Sequence, residues 1–344
     1  MPSTLVSIVI VSFNSKNDLK ECLPSLFGQS YSEFEVIVVD NNSTDGAADF
    51  VEESFPLIRV IKNKENYGFA KGCNIGIGES RGEYVVLLNP DTVVEKEWLR
   101  ELVRVMEIDE RIGACQSRVL LYSRPGIINT EGNDVNYLGF TWCRRYGDPN
   151  TEDGELQQTL GLSACSAVLR RDVLQKVGLF DEDFFMYLDD TDLGLRIYLQ
   201  GYKVVCNPRS IVYHKYTFMP SKKKMYYLER NRLVLLLKVY DKERLLRILP
   251  VFVFMEVGLL ALSLYQGWFK EKVKSYAWII LRWRSIRSKR KNVIRRKSEI
   301  IKMLNLMSPK VAFEEIQNPL LDKFVNPLLG AYYRLVMVPH RSTK

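Results

Sequence analysis

Through residue 90 the chain alternates short apolar runs with longer blocks in which apolar residues recur at helical spacing. Residues 6–13, 34–39, 57–61 and 84–88 are dense in consecutive apolar positions, the pattern of strands buried on both faces. Between them, residues 17–27 and 47–54 read as helices, with Asn14 or Ser15 available to cap the first. A third helix opens at Asn66-Tyr67-Gly68 and runs to residue 79. Strand and helix in alternation, joined by short turns, predict an α/β architecture: a mostly parallel sheet flanked by crossover helices.

The pattern continues with a helix over 95–108 and then loses its period. Residues 113–160, rich in Gly, Asn and Asp, are expected to form an insertion. Order returns with a strand at 164–169 and a helix at 171–177. A further helix runs from about 190 to 200, closed by Gly201 in the manner of a C-cap, and strands follow at 203–206 and 211–213. After Pro220 the chain reads as helical to its end, with breaks near Pro250, Pro309, Pro319 and Pro327. This gives an α/β domain over residues 1–240 and a helical, apolar and basic region over 241–344.

Composition narrows the setting. The 344 residues, 47% of them hydrophobic, supply core for one large or two modest domains. The six cysteines, Cys22, Cys73, Cys115, Cys143, Cys165 and Cys206, form no CxxC pair and no zinc spacing, as in a reduced compartment. The apolar run from residue 6 follows no basic segment and reads as a first strand instead of a signal peptide, so the catalytic part is expected to be cytosolic. The net charge of +8 is concentrated: residues 271–297 hold eleven positive charges against Glu271, a local +10. Nothing upstream resembles a nucleic-acid module, so no nucleic-acid partner is expected. The basic segment follows the most apolar stretch, 245–269, and that pairing suits an anionic membrane surface. Within it, 248–265 approaches spanning length. Positive charge on both flanks, Arg244 and Arg247 before and Lys270 and Lys272 after, favours a monotopic or re-entrant attachment over a crossing.

The candidate chemistry lies in two acidic clusters, each ending an apolar run. Asn89-Pro90-Asp91 follows the strand at 84–88, at the carboxyl edge where open α/β sheets bind ligands. Oxygen ligands there suit Mg²⁺ or Mn²⁺, ions that carry nucleotide phosphates. Asp189-Asp190 begins a helix, where the dipole favours ionised carboxylates and one acid is available as a base. Asp192 and Arg196, four apart, read as a supporting ion pair. Asp40 ends the second strand and offers a carboxylate to a base or ribose; the Asn41-Asn42-Ser43-Thr44-Asp45-Gly46 that follows is also plain turn chemistry. Asn66 and Gly68 place backbone amides at a helix start, a natural anion site. His214, one of two histidines, closes a strand and reads either as a metal ligand or as a structural residue.

Five segments together resemble family 2 glycosyltransferases of the GT-A fold, in the rhamnosyltransferase-like branch. They are Val9-Ile10-Val11-Ser12-Phe13-Asn14, Val38-Val39-Asp40-Asn41-Asn42-Ser43-Thr44-Asp45-Gly46, Asn66-Tyr67-Gly68-Phe69-Ala70, Leu87-Leu88-Asn89-Pro90-Asp91 and Phe184-Phe185-Met186-Tyr187-Leu188-Asp189-Asp190-Thr191-Asp192-Leu193. The resemblance covers residues 5–240 and implies a Rossmann-like, nucleotide-sugar-binding sheet. It places a Mn²⁺ or Mg²⁺ ion on Asp91 and His214, the catalytic base on Asp190 beside Asp189, and Gly161-Leu162-Ser163-Ala164-Cys165 near donor and acceptor. It implies a nucleoside-diphosphate-sugar donor held by Ser12, Phe13, Asn14, Asp40 and Asn89, and a glycan or lipid-linked acceptor reached at the cytoplasmic face of the cell membrane. Asn89 stands where the family usually has an acid, so a non-catalytic nucleotide-sugar-binding protein is the competing reading. The Gln-x-x-Arg-Trp motif of processive synthases has no match: Arg282-Trp283 has Ile279 at the Gln position. Transfer of one or a few sugars is therefore expected.

Overall fold

The computed structural model describes residues 4–151, 154–216, 221–293, 296–312, 319 and 321–337. Pro220, named above for a helix start, and Arg295, one of the positive charges in 271–297, lie outside these. The elements begin with β1 (Val6–Ser12), α1 (Lys16–Phe27), β2 (Phe34–Asp40), α2 (Ala47–Ser54), β3 (Arg59–Lys62), α3 (Gly68–Glu79), β4 (Tyr84–Leu88), β5 (Thr92–Val94) and α4 (Trp98–Ile108). Then come β6 (Ile112–Leu121), β7 (Arg124–Thr130), β8 (Asn133–Val135), β9 (Thr141–Cys143), β10 (Gln157–Thr159), β11 (Ser166–Arg170), α5 (Arg171–Val177), α6 (Asp189–Leu199) and β12 (Lys203–His214). The remaining helices are α7 (Lys222–Val239), α8 (Lys242–Tyr265), α9 (Phe269–Leu281), α10 (Trp283–Asn292), α11 (Lys297–Leu306) and α12 (Asn326–Tyr332).

Ten strands form one sheet, ordered β10-β12-β6-β11-β4-β1-β2-β3, with β5 added on β12 and β7 on β6. β1 pairs in parallel with β2 and β4, β2 with β3, and β6 with β12, whereas β11 runs antiparallel between β4 and β6. Alternation along each strand divides the core in two. Val6, Ile8 and Ile10 of β1 join Leu19 and Leu23 of α1 and Trp98 and Leu102 of α4 on one face. Val9 and Val11 join Ala70, Cys73 and Ile77 of α3 and Leu193 of α6 on the other. α3 lies close to the sheet because Gly76 faces it: a Cβ there would come within 2.3 Å of Val9.

The mostly parallel sheet flanked by helices is as expected, and the expected insertion is not. Ile112–Leu121 is a fully buried central strand that orders the region read as irregular. The two short strands expected at 203–206 and 211–213 are one, β12, with an irregularity in register between Asn207 and Ile211. Pro250 does not break α8 but sits inside it on an exposed face.

The chain divides into two compact units. One comprises residues up to 133, 143–197 and 201–217; the other comprises 134–142, 198–200 and 218 onward. The division falls before α7 and not at 240, because α7 packs with α9 and α10. In this helical unit, Glu229 and Arg232 of α7, Glu256 of α8 and Lys272 of α9 form a buried ion-pair network. Arg232 reaches Glu229 at 2.9 Å, Lys272 reaches Glu256 at 2.8 Å, and the Tyr276 hydroxyl also donates to Glu256. Four charges balance to zero, which is the condition for keeping them out of water.

Candidate active site

The site is built at the carboxyl ends of β1, β2 and β4. Ser12 and Asp40 are register partners that end β1 and β2. Both are buried, and Ser12 Oγ and one Asp40 oxygen have no hydrogen-bond partner. Unsatisfied buried polar atoms cost about 1–3 kcal/mol each, so two side by side at a sheet edge mark a place for a polar ligand. The other Asp40 oxygen accepts from Ser43 N at 3.0 Å. Asn14, with φ of 53°, accepts Thr44 N at 2.8 Å and so ties the loop after β1 to the loop after β2. Phe13 projects from the same edge, 47% exposed.

The start of α3 is not the open anion site its sequence suggests. Asn66 Oδ1 accepts the Gly68 N–H at 2.9 Å, and the Phe185 carbonyl accepts Phe69 N at 2.7 Å and Ala70 N at 3.4 Å. The first amides of the helix are therefore spent within the chain. Gly68, at φ +80°, permits this contact, since a Cβ there would lie 2.4 Å from the Phe185 oxygen. Asn66 and Gly68 thus anchor the segment ahead of α6. That segment is left-handed at Phe185, Tyr187 and Leu188, and it delivers Asp189 and Asp190. Left-handed backbone at three side-chain-bearing residues is costly and persists where the surroundings hold it.

Pairing of β5 with β12 sets His214 opposite Thr92, next to Asp91. His214 Nε2 lies 3.3 Å from Asp91 Oδ2, and its Nδ1 lies 2.9 Å from Asn129 Oδ1. Burial opposes charge on the His214 ring, but the neighbouring Cys165 sulfur and Asp91 carboxylate outweigh it and hold the ring above the ordinary imidazole range. Burial likewise opposes the Asp91 carboxylate, and His214 outweighs it downward. Asp91 Oδ1 is buried without a partner. Among the described residues no group of three His, Cys, Asp or Glu side chains is arranged around a metal position. A carboxylate with a free buried oxygen beside an imidazole still fits a divalent ion that takes its other ligands from phosphates and water, as Mg²⁺ commonly does. Asn129, on β7 in the stretch that gave no sequence period, escaped sequence reasoning; a polar run, Asn129-Thr130-Glu131, was its only trace.

Asp189 is buried, with Oδ2 unpartnered, while Asp190 is the more exposed of the two. Burial pushes Asp189 well above the usual carboxylate range, and the charge of Asp190 adds to the effect. Burial also raises Asp190, up to about 6, even though Ala164 N at 3.1 Å and Thr191 N at 2.7 Å donate to it. Below them Arg196 reaches Asp192 at 2.8 Å, the expected ion pair, and donates to the carbonyls of Val177, Gly178 and Leu179. One loop links the clusters: Ala164 donates to Asp190, and the Cys165 carbonyl accepts Asn89 N at 2.9 Å.

Comparison with known proteins assigns the class. The family model described as glycosyl transferase family 2 matches residues 7–178, half of the chain, and the chain belongs to that family. The O-antigen biosynthesis protein RfbC of Myxococcus xanthus is 32% identical over 218 residues, 60% of this chain and 17% of its own length. The chain spans less than half the length of the first curated relatives it matches. Among solved structures, GalNAc-T7 with UDP, GalNAc and Mn²⁺ superposes with a TM-score of 0.59 at 16% identity, covering 70% of this chain and 49% of that one. The mannosyltransferase PcManGT from Pyrobaculum calidifontis, in complex with GDP-Man and Mn²⁺, gives 0.51 at 19% identity, with 84% of each chain covered. At such identities the likeness concerns the fold, which is GT-A.

Proposed function

We propose that the protein transfers a single sugar, with inversion, from a nucleoside-diphosphate-sugar to a hydroxyl of a glycan or polyprenyl-diphosphate-linked acceptor in cell-surface polysaccharide synthesis. The observation that carries this reading is the 161–165 loop, which ties the raised carboxyl of Asp190 to the strand end bearing Asp91 and His214. Asp190 accepts the proton of the attacking hydroxyl, and its raised pKa, near 6, suits a general base. One displacement by that hydroxyl inverts the anomeric carbon. Asp91 and His214 would hold Mn²⁺ or Mg²⁺, and the ion would supply positive charge to offset that of the departing diphosphate. Ser12 and Asp40, each with a free buried polar atom, receive the base and ribose, with Phe13 and Asn14 beside them. UDP or dTDP is the carrier, with dTDP-rhamnose a donor candidate. Membership of the family and the O-antigen relative support the substrate class.

The helical unit holds the enzyme on the cytoplasmic face as a monotopic anchor. α8 is long and apolar enough to span, yet only 17% of its most apolar window is buried. Its Glu256 is committed to Arg232 and Lys272 of α7 and α9, helices too charged to enter lipid. Along its outer side α8 exposes Leu246, Val253, Phe254, Val257 and Leu264, one stripe at helical spacing with Leu249 at its edge. A helix tied to charged neighbours through Glu256 and apolar along its outer side lies in the interface.

Incubating the protein with UDP-, dTDP- and GDP-sugars and Mn²⁺, first by thermal shift and then with lipid-linked acceptors, tests the transfer. Nucleotide-sugar binding without product from any acceptor, and without hydrolysis, would favour the non-catalytic reading.

A further inference from the structure

An imidazole serves an ion only through a ring nitrogen that carries no proton, and the other nitrogen must then carry one. In His214 the nitrogen on the Asp91 side is Nε2, 3.3 Å from Oδ2. The ring's proton therefore belongs on Nδ1, where it needs an acceptor. Asn129 Oδ1, 2.9 Å away, is that acceptor. Turned over, the same amide would donate to Nδ1 and leave the proton on Nε2, which would then be closed to an ion.

The fold builds this contact. Along β7, Ile128 pairs with Leu120 and Thr130 with Val119, so Asn129 between them opposes no residue of β6. An extra residue of this kind makes a bulge, a device that re-aims a side chain. The other edge of β7 is held as well: Ile128 N donates to the Asp148 carbonyl at 2.9 Å, and Gly147 N to the Ile128 carbonyl at 3.0 Å. Asn129 is 2% exposed, and its Nδ2 has no partner. A buried amide that uses only its oxygen carries a desolvation cost that an apolar residue would not. The one side-chain bond it makes is to the ring of His214.

We infer that Asn129 is a positioning residue for the ion: its amide oxygen holds His214 in the Nδ1–H tautomer and leaves the Nε2 lone pair on the Asp91 side. The inference rests on the metal site proposed above and deepens it, by naming what makes this imidazole a ligand. Asn129 acts through His214 and supplies no ligand of its own.

The test titrates the full chain with Mn²⁺ alone, reading the free ion by electron paramagnetic resonance. Asn129→Ala should bind at least tenfold more weakly, as is usual when the hydrogen-bond partner of a metal-bound histidine is lost. Asn129→Asp keeps an oxygen facing Nδ1 and removes the Nδ2 donor, so it should bind within threefold of wild type or more tightly. The second readout is the ring proton itself. The chain has two histidines, so His340→Gln leaves His214 as the one imidazole in ¹H–¹⁵N spectra of the Mg²⁺-saturated protein. The Nδ1–H proton should be slow to exchange with Asn or Asp at 129, and lost to water exchange in Asn129→Ala. Unaltered unfolding temperature identifies folded variants, and Asn129→Ser provides a second lesion should Asn129→Ala misfold. Equal Mn²⁺ affinity in wild type and the Ala or Ser variant overturns the inference. So does Asp binding as weakly as Ala, or a loaded wild type with its proton on Nε2. Asp91→Ala separates the two claims. Mn²⁺ binding that Asp91→Ala abolishes and Asn129→Ala leaves unchanged sinks the role of Asn129 alone, whereas no Mn²⁺ binding by wild type sinks the metal site and the inference with it.

Discussion

The backbone N–H of Ala164 donates to Asp190 at 3.1 Å and that of Thr191 at 2.7 Å, so the proposed base is oriented chiefly by main chain, with the Thr191 hydroxyl farther off at 3.5 Å. A main-chain donor survives most substitutions of its own residue. The orientation of Asp190 therefore depends on the course of the 161–165 loop, which the neighbouring Asn89 N–H to Cys165 carbonyl bond fixes to the end of β4.

Replacing Asp190 with Asn should lower turnover by about 10²–10⁴-fold, the usual worth of a general base, and leave donor affinity within a few-fold. Because its carboxyl is raised to about 6, the base is ionised above that pH and protonated below it. The rate for wild type should then fall about tenfold per unit as pH drops below 6. A variant with near wild-type turnover would move the role to Asp189.

Asp91→Ala should abolish the dependence of nucleotide binding on Mn²⁺ or Mg²⁺, and His214→Ala should weaken it. Calorimetric titration of UDP or dTDP with and without metal reads both. Metal dependence that persists in Asp91→Ala would place the ion elsewhere.

Gly68→Ala puts a Cβ against the Phe185 carbonyl at a left-handed position. We expect a loss of about 1–3 kcal/mol in stability, seen as a lower unfolding temperature, and a loss of turnover larger than the loss in donor binding. The displaced segment leads directly into Asp189 and Asp190, so the base moves first. Equal activity at saturating donor would show that the segment relaxes without disturbing α6.

Glu256→Leu leaves Lys272 with Glu229 alone and removes one of two acids from Arg232. Breaking one partner of a buried network costs about 3–5 kcal/mol, so chemical denaturation should show the helical unit strongly weakened. An α8 that spanned lipid on its own would instead be stabilised by the loss of this charge, and vesicle insertion would rise.

Changing Arg282, Arg284, Arg287 and Lys291 to Gln should weaken binding to anionic vesicles by up to about 1 kcal/mol per residue and flatten its salt dependence. Transfer to a soluble acceptor should be unaffected. Sedimentation with vesicles of graded phosphatidylserine content checks it.

Much of the α/β frame was legible because β1, β2 and β4 are short runs dense in apolar residues, and sequence spacing alone separates them from the helices. β6 was not. Its Gln116, Ser117 and Arg118 read as loop residues, but each is buried with partners that lie far away in sequence. Trp98 Nε1 donates to Ser117 at 3.0 Å, and Arg118 pairs with Glu131. Polar residues satisfied by distant side chains carry no local signal. Among site residues, Asp91 and Asp190 were visible as acids ending apolar runs. Asn129 and the amide of Ala164 were hidden, since one lies in an aperiodic stretch and the other acts through its backbone. The start of α3 misled for the opposite reason: its free-looking amides are answered by Phe185, more than a hundred residues on.

The network joining α7, α8 and α9 sets what is interchangeable between relatives. A tail exchanged at residue 241 would strip Glu229 of Lys272 and strip Arg232 of Glu256, leaving the donor's α8 to meet an alien charge pattern. A tail exchanged before α7, together with residues 134–142, carries its ions with it. Chimeras should therefore inherit a foreign anchor only as this larger cassette, and the natural module boundary lies about twenty residues ahead of the point where hydrophobicity first rises.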